Sequence, residues 1–223
     1  MNATAIFKLT TPDGRDEPQA PRTAGWPRGT RGAVAGVGLW LFMGVATTLF
    51  SLFIAAYAMR MDSSDWSPIA LPPQLWLSTA LLIAGSVLLQ RAAGAAHAVW
   101  LHRARMLLLA GGACALAFLA VQLWAWQALH AAQITAIGNP AGSFFYLLTA
   151  MHGLHVAGGL IGWGITVRGM QRIEAAAIDP ARAAWRITLC ARYWHFLLAV
   201  WIALYAVLGW LTPEAVRFIC GGN

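Results

Sequence analysis

Charge is what this chain has least of. Eight Asp and Glu and fifteen Lys and Arg make up only 10% of 223 residues, against about 25% in soluble domains. So few charges cannot wet the surface of a soluble fold, nor keep a chain extended as a disordered segment. Cysteine is nearly as scarce. Cys114, Cys190 and Cys220 lie far apart, without CxxC or CxxCH, which excludes a disulfide framework, a zinc knuckle and a covalently attached haem. Residues 1–31 lack an apolar run followed by a small-residue cleavage site, so no cleavable signal peptide is expected. Internal repeats are missing too, as are paired apolar segments broken at corresponding positions. Both are marks of many transporters.

What is present is apolar. Hydrophobic residues are 59% of the chain and twelve are Trp. A span needs roughly 20 apolar residues to cross about 30 Å of hydrocarbon. Five segments qualify: 32–57, 75–95, 106–129, 144–167 and 193–211. The expected fold is therefore all-α, a polytopic bundle of five transmembrane helices (residues 32–223) preceded by a mobile polar tail (1–31). Thirteen basic residues fall on the tail and the two loops of one side, and only Arg60 and Arg217 on the other. This asymmetry predicts a cytoplasmic N-terminus and an outer C-terminus. It also assigns the net charge of +7 to topology rather than to nucleic acid.

None of the five segments holds an interior Asp, Glu, Lys or Arg, which argues against self-contained proton or cation transport, since such pathways are marked by ionisable groups at depth. The polar side chains that remain inside are Gln122, His152, His155 and His195, with Thr47, Thr48 and Thr149. Imidazoles suggest a haem or metal site, which needs ligands at one depth. His155 is expected near the bilayer middle and His195 near its edge, roughly 10 Å apart in depth. Interhelical hydrogen bonding is the expected role of Gln122, Thr149, His152, His155 and His195, and a b-type haem is the alternative. The GxxxG pairs Gly32/Gly36 and Gly158/Gly162 suggest close helix contacts, with the fourth span the tightest. Trp185, Arg186, Arg192 and Trp194 form a basic-aromatic cluster suited to a phospholipid headgroup or to another subunit. Cys114 and Cys190 are expected to be small apolar fillers.

These residues carry a resemblance. Thr149-Ala150-Met151-His152-Gly153-Leu154-His155-Val156 is similar to the T-G-F-H-G-L-H-V stretch of haem-copper oxidase subunit III. Tyr193-Trp194-His195-Phe196, followed by Trp201, Tyr205 and Gly209-Trp210, resembles the last-helix pattern of that family. Gly38-Leu39-Trp40-Leu41-Phe42, with Phe50, Phe53 and Ala55-Ala56-Tyr57, resembles its opening helix, and Phe118-Leu119 with Gln122 and Trp126 a fourth element. The likeness spans residues 32–211 and is strongest to the short five-helix bacterial form of cytochrome c oxidase subunit III. The chain departs from it where the family carries acids, at Ala46, Ala125 and Leu198, which puts in doubt any proton-handling role tied to those acids.

The resemblance implies a subunit of the bacterial inner membrane with no catalytic, cofactor or metal site of its own. It would pack against subunit I, beside subunit II and a small subunit IV, with haem and copper on those partners. It would support oxygen reduction and proton pumping by stabilising subunit I, sustaining proton uptake and binding phospholipid between its helices. The resemblance adds Trp201 and Tyr205 to the residues expected to contact lipid or subunits. The short form lacks two helices of the longer one, so a lipid cleft made by those helices would need another subunit. Alternatives are an accessory subunit of a quinol oxidase or nitric-oxide reductase, a self-contained b-type membrane cytochrome, and a small-solute carrier.

Overall fold

The computed structural model describes residues 30–176 and 180–211. All but the end of the N-terminal tail, and Cys220 and Arg217, lie outside them. Five helices follow one another: α1 (Thr30–Arg60), α2 (Gln74–His97), α3 (Leu101–Ala131), α4 (Pro140–Ala176) and α5 (Pro180–Trp210). Each is long and apolar enough to cross a membrane. Three starts differ from the hydropathy reading. α3 begins at Leu101 and α4 at Pro140, and α5 begins thirteen residues before Tyr193. Arg182, Arg186 and Arg192 interrupt the apolar run of α5 but not its backbone ladder, because an Arg stem lies along a helix while its head reaches polar surroundings.

The local signals at the ends are chemical. Asn139 precedes Pro140, and its Oδ1 accepts the Ala141 N–H at 3.0 Å, a side-chain N-cap followed by a proline whose missing N–H costs nothing there. α2 and α3 both stop in paired backbone bonds that satisfy their last carbonyls: Trp100 N–H to Ala95 O and Val99 N–H to Ala96 O, then Ile134 N–H to Leu129 O and Gln133 N–H to His130 O. This closure needs a left-handed residue after the cap. Val99 (φ 62°) and Gln133 (φ 61°) supply it. A β-branched residue is strained there by about 1–2 kcal/mol, more than the about 0.5–1 kcal/mol that a glycine's freedom costs. Val99→Gly is therefore expected to raise the unfolding free energy by about 0.5–1 kcal/mol, seen as a higher melting midpoint in detergent.

Packing follows seams of alternating three- and four-residue spacing. On α2 the buried positions include Leu75, Ser78, Leu82, Gly85, Leu89, Ala92 and Ala96. On α3 they include Ala104, Leu108, Gly111, Ala115, Phe118, Gln122, Ala125 and Leu129. On α5 they include Ala183, Ile187, Cys190, Trp194, Leu197, Trp201 and Leu204. A 3.5-residue repeat is the geometry of a left-handed bundle. α2 and α3 approach most closely, where a Cβ on Gly85 would lie 3.3 Å from the Gly111 carbonyl and one on Gly111 2.8 Å from Leu89 Cγ. α5 packs on α2 and α4, and α1 rides outside on α4 and α5. It is held by a small cluster of Phe50, Leu148 and Leu204.

At the end of the bundle bearing Gln74, Pro140 and Trp210, Asn139 also ties the α1–α2 loop. Its Nδ2 donates to the Ser67 carbonyl at 2.7 Å and to the Ser67 hydroxyl at 2.8 Å. Nearby, the Ser63 hydroxyl and the Arg60 guanidinium hold the exposed Asp65 carboxyl below the usual carboxylate range. Asn139→Ala removes both the cap and the tie. It is expected to cost about 1–2 kcal/mol and to speed hydrogen exchange across residues 61–73 while leaving exchange in the α2–α3 hairpin unchanged.

Candidate functional site

The polar groups of the sequence reading sit at different places in the bundle. Gln122 is buried on α3 and donates from Nε2 to Ser78 Oγ of α2 at 3.0 Å, while its Oε1 has no partner among the described residues. Thr149 on α4 accepts from Trp126 Nε1 of α3 at 3.1 Å and donates to its own helix at Phe145 O. Neighbouring Tyr146 donates to Ile134 O at 3.0 Å, tying α4 to the loop after α3.

Two histidines depart from the expected hydrogen-bonding role. The His152 ring is fully buried, and neither nitrogen has a partner among the described residues. It is instead enclosed by rings, with centroids 5.2 Å from Trp201, 5.7 Å from Phe118 and 6.3 Å from Phe50. These rings come from α1, α3 and α5. The His155 ring bonds within its own helix, Nδ1 to Met151 O at 2.7 Å. Its contact with other helices is aromatic, to Phe50 at 5.1 Å and Phe42 at 6.0 Å. The interhelical bond at this position is made by the backbone, whose carbonyl accepts from Tyr193 OH at 3.0 Å.

The depth expected for His195 is also corrected. Because α5 begins at Pro180, His195 lies in mid-helix, 15 residues from Trp210, just as His155 lies 15 residues from Pro140. Both are about 22 Å from that end. Equal depth does not bring the two rings onto one ligand. His195 turns to α2, where Ser86 Oγ meets its Nδ1 and Gln90 Oε1 its Nε2, the latter at 3.1 Å. Among the described residues no three His, Cys, Asp or Glu side chains gather where they could hold a metal ion.

The glycines tell a similar story. A Cβ on Gly158 or Gly162 would meet nothing within 4 Å, whereas one on Gly159 would lie 2.8 Å from the Tyr193 ring and one on Gly112 would run into the Trp163 indole. Gly158 and Gly162 therefore do not pack helices together. They floor a groove of about 690 Å³ between α1, α4 and α5, walled by Leu39, Phe42, Leu154, Ile165 and Tyr193, with Arg186 at one end.

A second groove, of about 660 Å³, lies on the other flank of α1 and is lined by Trp40, Met43, Gly44, Thr47, Arg192, His195 and Phe196. The basic-aromatic cluster is thus divided. Arg186 faces the first groove and Arg192 the second, its guanidinium 5.9 Å above the Trp185 ring. Trp194 and Trp201, expected to touch lipid or subunits, are instead 1% exposed and belong to the core. Their places on the α5 seam put them inward, and Trp201 Nε1 donates to Thr79 Oγ1 of α2 at 2.9 Å. Tyr205 is half-buried, edge-on to Trp76.

Sequence reasoning passed over Ser78, Ser86 and Gly112, and gave Gln90 and Trp163 only places near span ends. Ser78 was legible from its place on the seven-residue seam of α2. Nothing in the pattern singled out Gly112.

The chain matches the family model of cytochrome c oxidase subunit III over residues 29–212. It is 32% identical over 166 residues to the probable cytochrome c oxidase subunit 3 of Nocardia farcinica, covering 72% of this chain and 77% of that one. The Bacillus subtilis cytochrome c oxidase subunit 3 is 29% identical over 180 residues, 77% of this chain and 84% of the relative. The cytochrome bo(3) ubiquinol oxidase subunit 3 of Pseudomonas putida is 27% identical over 186 residues, 79% and 86% of the two chains. With five membrane-spanning helices in a family match that runs nearly from the first described residue to the last, this multi-pass membrane chain belongs to the cytochrome c oxidase subunit III family and is a subunit III of a haem-copper oxidase.

Proposed function

We propose that the chain is the non-redox subunit that braces catalytic subunit I in a bacterial plasma membrane, beside subunit II and a small subunit IV, with haem and copper held by the partners. The observation that carries the reading is the first groove. It is long, apolar and open to the bilayer along Gly158 and Gly162, as an acyl chain requires, and it ends at Arg186. Arg186 lies 24 residues from Trp210, about 36 Å along the helix. That is beyond the roughly 30 Å of hydrocarbon and at headgroup level, where a guanidinium meets a phosphate. A lipid filling this groove would lock α1 onto α4 and α5 and so stiffen the support offered to subunit I. The basic end of the bundle is then cytoplasmic. Proton uptake near that side would be sustained by this bracing rather than by acids of this chain, because Ala46 and Ala125 are buried where the family carries carboxylates.

The likeness to a ubiquinol oxidase subunit favours a second reading in which the electron donor is a quinol. The test is a mild-detergent pull-down of tagged chain from native membranes with subunit identification and an optical spectrum. Subunits I and II should accompany the chain, which should be colourless once stripped of them. The partners' spectrum and their oxidation of cytochrome c or quinol would separate the two donors. A chain that purifies alone, or that is itself coloured, overturns the reading.

A further inference from the structure

The second groove differs from the first in the depth of its polar groups. Taking the exposed indoles of Trp76 and Trp210 as the boundary at one end, His195 is about 22 Å in, Gln90 on α2 about 21 Å and Arg192 about 27 Å. All three are thus within the roughly 30 Å hydrocarbon layer, and all three are exposed on the outer surface of the chain. Ser86 donates to His195 Nδ1, and His195 Nε2–H donates to Gln90 Oε1. The outer member of this relay is the Gln90 amide nitrogen, whose N–H groups have no partner among the described residues.

The Arg192 guanidinium lies over the face of Trp185 and has no hydrogen-bond or ion-pair partner among the described residues. Polar donors facing hydrocarbon without acceptors are costly. The helices α1, α2, α3 and α5 offer them no acid, since none of the four contains Asp or Glu. A lipid phosphate sits at the boundary, not about 8–9 Å inside it. The acceptor at the depth of Gln90 and His195 must therefore come from protein. The rest of the groove suits a helix: Trp40, Met43 and Phe196 offer apolar walls, and the backbone at Gly44 is open, since a Cβ there would meet nothing within 4 Å.

We propose that the groove between α1 and α5, with Gln90 at its edge, seats a transmembrane helix of another oxidase subunit that presents a carboxylate to Arg192 and the Gln90 amide. The inference rests on the chain being part of a complex and adds which face is used and what the partner must carry. It makes the two flanks of α1 unlike in kind: lipid on the Gly158 side, protein on the Gly44 side.

The test uses the complex in native membranes, with a photoreactive benzophenone side chain at position 40 and, as control, at position 154. Position 40 should give an adduct with a membrane-spanning peptide of a co-purifying oxidase subunit that contains Asp or Glu, and position 154 should give lipid adducts. Gln90→Leu and Arg192→Glu should each lower recovery of that subunit at least ten-fold while the chain's own level in the membrane is kept. Reversing the partner's acid to Arg should restore recovery with Arg192→Glu. If oxidase subunits co-purify but position 40 gives only lipid adducts or none, or if both substitutions leave recovery unchanged, the groove assignment is overturned and the complex stands. If no oxidase subunit comes down, both readings fall.

Discussion

Valine at Gly112 is expected to destabilise the bundle by about 3 kcal/mol, at the upper end of what overpacking a close contact costs. The Trp163 indole of α4 lies directly on Gly112 of α3. It cannot simply swing away, because its Nε1 donates to the Leu108 carbonyl at 2.8 Å. A side chain at 112 must either displace the ring and leave the indole N–H without its acceptor or push α4 off α3. Either route breaks the close contact that joins α3 to α4 at this level. Against a typical net stability of 5–15 kcal/mol, the loss is large. It should appear as a lower unfolding midpoint in mixed micelles and as a shifted tryptophan emission. Gly158→Val and Gly162→Val, whose new methyls point into the open groove, should move the midpoint by less than about 0.5 kcal/mol while reducing the phospholipid that co-purifies. Equal losses at positions 112 and 158 would mean that the first groove is closed in the membrane.

The contrast between these glycines shows what was legible in the sequence. Five spans could be read because charge and apolar residues separate cleanly along the chain. The start of α5 could not be read by the same rule, since Arg182, Arg186 and Arg192 depress hydropathy over a stretch whose backbone is uninterrupted. Inside from outside was harder still. In water a core face announces itself by being apolar, but in lipid the outer face is equally apolar. Trp40 at 63% exposed and Trp201 at 1% are then the same letter. What marks the inner face is the seven-residue recurrence of small and polar residues, as at Ser78, Gly85 and Ala92 on α2 or Ala115 and Gln122 on α3. Glycine spacing alone pointed to Gly158 and Gly162. Close packing is decided by what stands opposite a glycine, and no single-chain pattern reveals that.

The histidines follow the same logic. Their residue type suggested hydrogen bonds between helices, and the spacing of His152 and His155 placed them on one face of α4. Whether a ring finds an acceptor depends on three other helices. At His152 those helices present Phe50, Phe118 and Trp201, and at His195 α2 presents Ser86 and Gln90.

Trp201→Ala should be the other large loss, about 3–5 kcal/mol. Its indole is the point where four helices meet: edge-on to Phe118 of α3 at 5.2 Å, tilted against His152 of α4 at 5.2 Å, and bonded through Nε1 to Thr79 of α2. Truncation would leave a cavity lined by rings held from several directions, which cannot collapse to fill it. It would also uncover His152, a buried polar ring now set against Phe50, Phe118 and Trp201. Trp201→Phe keeps most of the filling and loses the bond to Thr79, so it should cost only about 1–2 kcal/mol. That ordering separates packing from hydrogen bonding as the source of the stability. If Phe proved as damaging as Ala, the tie to Thr79 would be the dominant contribution. The readout is the unfolding midpoint of the purified chain together with the fraction recovered in the assembled oxidase, and both should fall in the order wild type, Phe, Ala.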